Sequence, residues 1–282
     1  MKIILKKTIV AIIFTISFSS LNATITTNYT IINNCDIISE LCYDTIIIMN
    51  PNLSTYTYSI DMYAFNSCTS LKSITLPNGL ISIGSASFVG CEGLESITIP
   101  YGVKNIGRVV FSGCSNLKSI ALPNSVTSIG DHTFSYCINL AYVALPSELK
   151  KIPNSMFYRC VNLTSIALPN SVTSIGKYAF SSCANLISIT LPSSVISIGE
   201  YAFSDCSSLK NVTFLNNDPA TITLGNNILG FITNLETIYV PFQKGKAYKD
   251  FFIEKGYPEY ADFVKELPKL NIYIEREHEN RK

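Results

Sequence analysis

Hydrophobic residues follow a short repeating pattern through most of the chain. In the unit that begins at Cys114, Leu117 is followed by Ile120 and Leu122, which alternate with small or polar residues. Alternation of this kind over a few positions predicts a half-buried β-strand. Because proline has no backbone donor, we expect Pro123 to end that strand after only a few residues.

The same unit carries two further apolar pairs. Val126 and Ile129 precede Gly130, and we expect this glycine to adopt a positive φ where the chain turns a corner. Phe134 and Cys137 stand three positions apart, so they point the same way if this stretch is a helical turn. The unit therefore has three sides, each with inward-pointing apolar residues.

This unit recurs seven times at intervals of 23 residues, and five residue types keep the interval. The columns are Cys68, Cys91, Cys114, Cys137, Cys160, Cys183 and Cys206; Phe65, Phe88, Phe111, Phe134, Phe157, Phe180 and Phe203; Leu71, Leu94, Leu117, Leu140, Leu163, Leu186 and Leu209; Pro77, Pro100, Pro123, Pro146, Pro169 and Pro192; and Gly84, Gly107, Gly130, Gly176 and Gly199.

A single turn of chain cannot bury its inward face, whereas parallel copies stacked in register place leucine on leucine and phenylalanine on phenylalanine. Stacking also joins the short strands into a parallel ladder with a spacing of about 4.8 Å. The repeat therefore predicts an elongated solenoid in which the phenylalanine column is structural.

The pattern C-x-x-L-x-x-I-x-L-P-x-x-V-x-x-I-G-x-x-x-F-x-x-C resembles the BspA-like, or treponemal-type, leucine-rich repeats, over about residues 45–265. The resemblance implies an α/β repeat solenoid: a right-handed leucine-rich-repeat superhelix with short parallel strands on the concave side and short helical turns on the other. The chain departs from the common leucine-rich repeat because serine or glycine stands in most units where that repeat has its asparagine, as at Ser125. We therefore expect the asparagine ladder of common repeats to be missing.

The flanks of the repeat are irregular, as the ends of a solenoid must be to cover its apolar cross-section. We expect five segments: a signal peptide over residues 1–23, an N-terminal cap with a degenerate first repeat over 24–64, regular repeats over 65–214, a degenerate repeat with a helical C-terminal cap over 215–267, and a polar tail over 268–282.

The first segment has the layout of a secretory leader. Lys2, Lys6 and Lys7 precede a short apolar run, and small residues follow as far as Ala23. A buried N-terminal strand or helix is the alternative. No later apolar run is long enough for a membrane helix, so we expect a secreted or cell-surface protein with no integral membrane segment in its mature form.

Nine cysteines in an exported chain would ordinarily predict a disulfide framework. Seven of them keep the repeat interval, however, and a stacked column of buried free thiols explains that better, because cysteine packs as a small hydrophobe. Cys35 and Cys42 fall outside the column. A local disulfide between Cys35 and Cys42 is possible, and free thiols are the alternative.

Catalysis and cofactor binding are not indicated. The net charge of +1 gives no reason to expect nucleic acid as a partner. No phosphate-binding loop, metal-ligand spacing or nucleophile elbow is present, so we predict no catalytic, cofactor or metal residues. His132 and Cys137 could be imagined as a base and nucleophile, but Cys137 belongs to the column that we expect to be buried.

Binding suits a solenoid better, because its strands present a long continuous surface. The outward strand positions are mostly small hydroxyl residues, which either contact a partner or only keep the strands soluble. One unit, residues 137–159, differs from the rest, and we call it the irregular unit. Because aromatic and cationic residues are favoured at interfaces, its candidate contact residues are Tyr142, Lys150, Lys151, Tyr158 and Arg159. Drift in an unconstrained repeat is the competing explanation.

Two functions follow from these observations and from the family resemblance. The first is a secreted or surface-associated binding protein for extracellular polypeptides or glycans, as in adhesion to a host. The second is a structural or antigenic surface protein without a specific ligand. An enzyme is not expected.

Overall fold

The computed structural model describes residues 29–32, 45–47 and 57–269. The chain winds into a parallel β-solenoid of about nine turns. The predicted leader over residues 1–23 lies outside the described residues, and so do Cys35, Cys42 and His278. Most regular coils have two sides that carry short strands and a third side that carries turns.

The first strand side contains the Leu-x-x-Ile segment that the alternation predicted. Its strands are β2 (Thr45–Ile47), β4 (Ser73–Thr75), β6 (Ser96–Ile97), β8 (Ser119–Ala121), β10 (Tyr142–Ala144), β13 (Ser188–Leu191), β15 (Asn211–Phe214), β17 (Thr237–Val240) and β18 (Val264–Glu266). Neighbouring strands pair in parallel with like positions opposed, so that Ile120 lies opposite Val143, but β6 and β8 are not paired with each other.

The second strand side follows the proline column. Its strands are β1 (Tyr29–Ile32), β3 (Thr57–Ile60), β5 (Leu80–Ile83), β7 (Asn105–Ile106), β9 (Ser128–Ile129), β11 (Lys151–Ile152), β12 (Ser174–Ile175), β14 (Ser197–Ile198) and β16 (Thr223–Leu224). They also pair in parallel, with Ile106 opposite Ile129. The first strand side confirms the predicted parallel strands, and the second is a strand side that the sequence did not predict.

The third side, which we call the turn side, lies between the glycine column and the cysteine column. Its backbone also joins successive coils, because N–H groups of alternate residues donate at 2.7–2.9 Å to carbonyls of the next coil: His132 to Asn154, Phe134 to Met156, and Tyr136 to Tyr158. The residues between them donate within the coil, as Ser135 does to His132 at 3.1 Å. Three backbone ladders thus hold the coils together.

The short helical turns predicted for this side are not confirmed. Residues 131–136 form hydrogen-bonded turns, and His132 and Tyr136 have φ values of 60° and 62°. Positive φ interrupts a right-handed helix, because left-handed backbone cannot continue its hydrogen bonds. The same two positions have positive φ in the other coils, at Tyr63, Ser67, Ala86, Gly90, Val109, Gly113, Ser155, Arg159, Tyr178, Ser182, Tyr201 and Asp205.

The glycine column has a different cause from the one predicted. Gly130 is not among the residues with positive φ, so that expectation is wrong. A Cβ atom on Gly130 would lie 2.5 Å from the backbone nitrogen of Arg108 in the preceding coil. The Gly130 N–H donates to the Ile106 carbonyl at 2.9 Å. Glycine is required here because two coils approach too closely for any side chain.

The repeat columns form the core, as predicted. The leucine and phenylalanine columns are buried along their length, and consecutive phenylalanine rings from Phe65 to Phe203 stack with centroids 5.0–5.7 Å apart. Their planes lie within 18° of parallel. One continuous hydrophobic core therefore runs along the solenoid axis.

The C-terminal end of the core is covered by two helices, α1 (Gly245–Glu254) and α2 (Pro258–Ala261). Tyr248 and Phe252 from α1 are buried against the ring of Phe214. The Tyr248 hydroxyl donates to the Asn216 carbonyl at 2.7 Å, which ties the helix to the segment directly after the last regular coil. Gly256, with φ of 83°, lies between the helices.

Candidate binding surface

The outward residues of the first strand side are available to a partner. In β8, Ser119 and Ala121 are exposed while Ile120 points into the core, and β10 repeats this with Tyr142 and Val143. Most of the exposed positions are serine, threonine or alanine. The side therefore presents a low, mostly uncharged surface with the larger Tyr142 side chain, 61% exposed, standing above it.

An asparagine ladder lies beside this surface, at a different repeat position from the ladder of common leucine-rich repeats. Asn139 donates to Asn116 at 3.5 Å, Asn162 to Asn139 at 3.1 Å, and Asn185 to Asn162 at 3.3 Å, all through side-chain amides. The ladder is exposed and stands two residues after the cysteine column. The recurrence of asparagine at that position was the signal in the sequence that would have predicted it.

The irregular unit breaks the ladder of the second strand side. In the units on either side, the N–H groups of Gly130 and Gly176 donate to isoleucine carbonyls of the preceding coil. Pro153 stands at this position in the irregular unit, and proline has no N–H and carries a ring where the regular coils leave no room. As a result, β9 and β11 are not paired with each other.

The first strand side is also broken beside the irregular unit. Residues 119–130 and 165–176 have the same sequence, SIALPNSVTSIG. Residues 119–121 form β8 and pair with β10, whereas residues 165–167 form no strand. Because the two segments are identical, the difference comes from their surroundings: residues 119–121 pair with β10 of the irregular unit, whereas residues 165–167, at the other edge of β10, pair with neither β10 nor β13.

This break opens a groove between the irregular unit and the coil that follows it. The groove has a volume of about 580 Å³ and is lined by residues 142–145, Ser147 and residues 165–170. Val143 and Ile166 are nearly buried, while Leu145 and Leu168 are half-buried. The turn side remains closed here, because Ser155, Phe157 and Arg159 donate to the next coil at 2.8–2.9 Å.

The five candidate contact residues lie on three different sides. Tyr142 is on the first strand side, at the groove. Lys150 and Lys151 are exposed on the second strand side, where the Lys150 ammonium lies 3.8 Å from the Glu148 carboxylate. Tyr158 and Arg159 are on the turn side. The structure therefore does not bring the five residues together into one patch.

Two of the candidates form a cluster with a residue that was not predicted. The Arg159 guanidinium lies 5.7 Å from the ring centroids of both Tyr136 and Tyr158. The two tyrosine rings meet edge to face with centroids 5.3 Å apart. Tyr136 is 47% exposed and occupies the position of Arg159 in the preceding unit, so comparison of the units by column would have found it.

The cysteine column is chemically quiet. The Cys137 thiol is buried and donates to the Phe111 carbonyl at 3.0 Å, and burial raises its pKa to about 12. His132 makes its side-chain contact with the Ser135 hydroxyl, at 3.3 Å. The thiol is thus protonated at neutral pH and points into the core, away from His132 and solvent.

Among residues 29–32, 45–47 and 57–269, no group of three or more histidine, cysteine, aspartate or glutamate side chains is arranged to hold a metal ion. Within that part of the chain, no helix has the length and apolar character needed to cross a membrane.

Comparison with known proteins places these features in a wider group. A family model described as a BspA type leucine-rich repeat region matches six copies, over residues 36–164 and 129–257. A leucine-rich repeat protein from Bacteroides ovatus is 27% identical with a TM-score of 0.50, over 78% of this chain and 69% of that one. No curated protein matches the chain.

Two further solved structures are similar in sequence and repeat type. A leucine-rich cell surface protein from Faecalibacterium prausnitzii is 28% identical with a TM-score of 0.45, over 61% of this chain and 60% of that chain. A leucine-rich repeat protein from T. pallidum is 27% identical with a TM-score of 0.44, over 62% of this chain and 75% of that chain.

Proposed function

The chain belongs to the family of BspA-type leucine-rich repeats, and on that premise we propose that it is a secreted or surface-associated protein that binds an extracellular polypeptide or glycan. The observation that carries the proposal is the first strand side, whose outward residues form a long exposed surface on a rigid core. Such a surface can contact an extended partner over several coils without any movement of the backbone.

The N-terminal residues support the location in this proposal. Under this proposal, residues 1–23 direct export. Residues 24–64 and 215–267 cover the two ends of the repeat core, and residues 268–282 form a polar tail. An exported chain meets polypeptides and glycans outside the cell, which are partners that such a surface can contact. Fractionation of the producing cell tests the location, because a chain retained in the cytoplasm contradicts it.

The binding proposal is tested by passing the purified protein over a panel of extracellular matrix proteins and a glycan array. We expect at least one ligand to be retained in a saturable manner. Retention of no ligand in either set contradicts the proposal and favours the alternative of a structural or antigenic surface protein.

The candidate contact residues are tested side by side, because they lie on three sides. The variants are Tyr142→Ala, the double variant Lys150→Ala with Lys151→Ala, and the double variant Tyr158→Ala with Arg159→Ala. Loss of a tyrosine or arginine that anchors an interface weakens binding by roughly tenfold or more. Tyr101→Ala is the matched control, since Tyr101 is 82% exposed on a regular unit. Equal affinity in all variants contradicts the assignment of these five residues.

A further inference from the structure

We infer that a group of tyrosines and one arginine on the turn side binds an acidic polypeptide segment. The group, which we call the tyrosine surface, consists of Tyr136, Tyr158, Arg159, Tyr178 and Tyr201. The inference rests on the proposed function, because it names both the class of partner and the side of the solenoid that contacts it. The exposed rings, an unpaired cation and the arrangement of the rings each support it.

The tyrosines are not required for the stacking of the coils. Tyr136 is 47% exposed and Tyr178 is 39% exposed. In two earlier units, the same repeat positions hold the smaller residues Ala86, Gly90, Val109 and Gly113. The N–H groups of Ala86 and Gly90 still donate to the next coil, at 2.9 and 2.8 Å, so the turn-side ladder forms without rings. Aromatic residues are enriched at protein interfaces, and a partner gives these exposed rings a role.

Arg159 is an exposed cation without a partner for its charge. Its side chain has no ion pair and no hydrogen bond to any residue in the described part of the chain. The next charged residue in its column is Asp205, two coils further on, with Ser182 between them. Beside the other tyrosines, Lys177 is already paired with Glu200 at 3.3 Å. An arginine fork with open N–H groups can hold a carboxylate through two parallel hydrogen bonds, which favours an acidic partner.

The arrangement of the rings favours a polypeptide over a glycan. A sugar ring is held by stacking on an open aromatic face, and each of the four tyrosines has one face covered within the protein. Tyr178 and Tyr201 stack on each other with centroids 5.1 Å apart. The Arg159 guanidinium lies over both Tyr136 and Tyr158, at 5.7 Å from each centroid. Tyrosine and arginine are among the residue types most enriched at the hot spots of protein interfaces.

The first experiment selects peptides from a phage-displayed library of random peptides on the whole protein. The enriched peptides are then measured on Arg159→Gln, which removes the charge. Arg108→Gln is the matched control, because Arg108 is exposed and has neither an ion pair nor an aromatic ring beneath it in the described part of the chain. We expect peptides with aspartate or glutamate that bind wild type and Arg108→Gln equally and lose roughly tenfold or more affinity for Arg159→Gln.

The aromatic part of the surface is tested with the same peptides. Tyr136→Ala removes an exposed ring beside Arg159, and Tyr101→Ala removes one that is 82% exposed on a regular unit. We expect roughly a tenfold or greater loss of affinity in the first variant and none in the second. Equal affinity of the two variants overturns the tyrosine surface as the binding site.

The second experiment tests the contact between Arg159 and a carboxylate, and its first step needs no variant of the protein. Synthetic copies of the enriched peptides carry asparagine or glutamine in place of each acidic residue. We expect these copies to bind wild type roughly tenfold or more weakly, because a charge-assisted hydrogen bond is lost. They should bind Arg159→Gln as tightly as wild type, since both changes remove the same pair. Losses that simply add contradict the direct contact.

The remaining outcomes separate this inference from the proposed function. Enriched peptides without acidic residues contradict the acidic partner, and the absence of any enriched peptide overturns the inference. A heparin fragment that is retained by wild type and lost on Arg159→Gln contradicts the polypeptide. A matrix protein or glycan that binds Arg159→Gln as well as wild type overturns this site while the binding function stands. Retention of nothing by the matrix panel, the glycan array and the library overturns both.

Discussion

At the residue scale, the cysteine column links coils as well as filling space. The Sγ atoms of six cysteines from Cys91 to Cys206 lie 2.9–3.2 Å from phenylalanine carbonyls of the preceding coil. A valine of similar size would fill the core without donating a hydrogen bond. The sequence interval predicted the burial of these thiols, but the donor role depends on the carbonyl direction, which follows from the turn geometry.

We predict that the column makes the protein less stable at high pH. The folded pKa of Cys137 is raised from 9.0 to about 12, so the unfolded thiol ionises first. The stability due to this group is complete below the unfolded pKa and is lost as pH rises through the folded pKa. Between pH 9 and pH 11, the free energy of unfolding should fall by roughly 2 kcal/mol less in Cys137→Ser than in wild type, since serine does not titrate. If urea titrations show the same decrease in the free energy of unfolding for both proteins, the prediction is refuted.

The phenylalanine column supports a second prediction at this scale. Phe134→Ala removes a fully buried ring that stacks on both sides, and we expect the free energy of unfolding to fall by about 3–5 kcal/mol. Phe231→Ala is the control, because it makes the same change at a ring that is 77% exposed. Urea denaturation measures both. Similar losses in the two variants would mean that the column is not the core.

At the element scale, the turn side and the glycine column show what the sequence could not predict. Residues with positive φ there include Tyr63, Val109 and Arg159, which are not residue types that favour such backbone. The pairing of each coil with the next fixes that conformation, so no local signal marks it. The recurring glycine was a clear signal in the sequence, but it has two possible causes, a close approach of two backbones or a positive φ. Only the geometry of the stacked coils shows which cause applies.

The close approach at the glycine column can be tested by adding one carbon atom. Gly130→Ala forces the coil away from the backbone of Arg108, and we expect a loss of about 1–3 kcal/mol in the free energy of unfolding. Gly230→Ala is the control, because its Cβ would approach its neighbours only to 3.3 Å. A Gly130→Ala variant as stable as wild type would show that the coils are not in contact there.

At the scale of the whole molecule, the columns of identical residues made the fold predictable, because every coil repeats the same burial pattern. The five contact residues were less predictable. Tyr142, Lys150 and Arg159 were grouped by their place in one unit, and a single coil distributes its residues over three sides. The groove was not foreseen, since residues 165–176 are identical to a segment whose strand is paired.

The central claim is that identical coils stack through backbone ladders and that these ladders are interrupted beside the irregular unit. Hydrogen exchange of single amides, followed by NMR, tests it most directly. The Leu122 N–H donates to the Ala144 carbonyl at 3.0 Å, and the Phe134 and Phe157 N–H groups donate across the turn side, so these amides should exchange slowly. The Leu168 amide, in the same sequence context as Leu122 but without a partner in the described part of the chain, should exchange much faster. Equal protection of Leu122 and Leu168 would contradict the open groove, and fast exchange of all four amides would contradict the stacked solenoid.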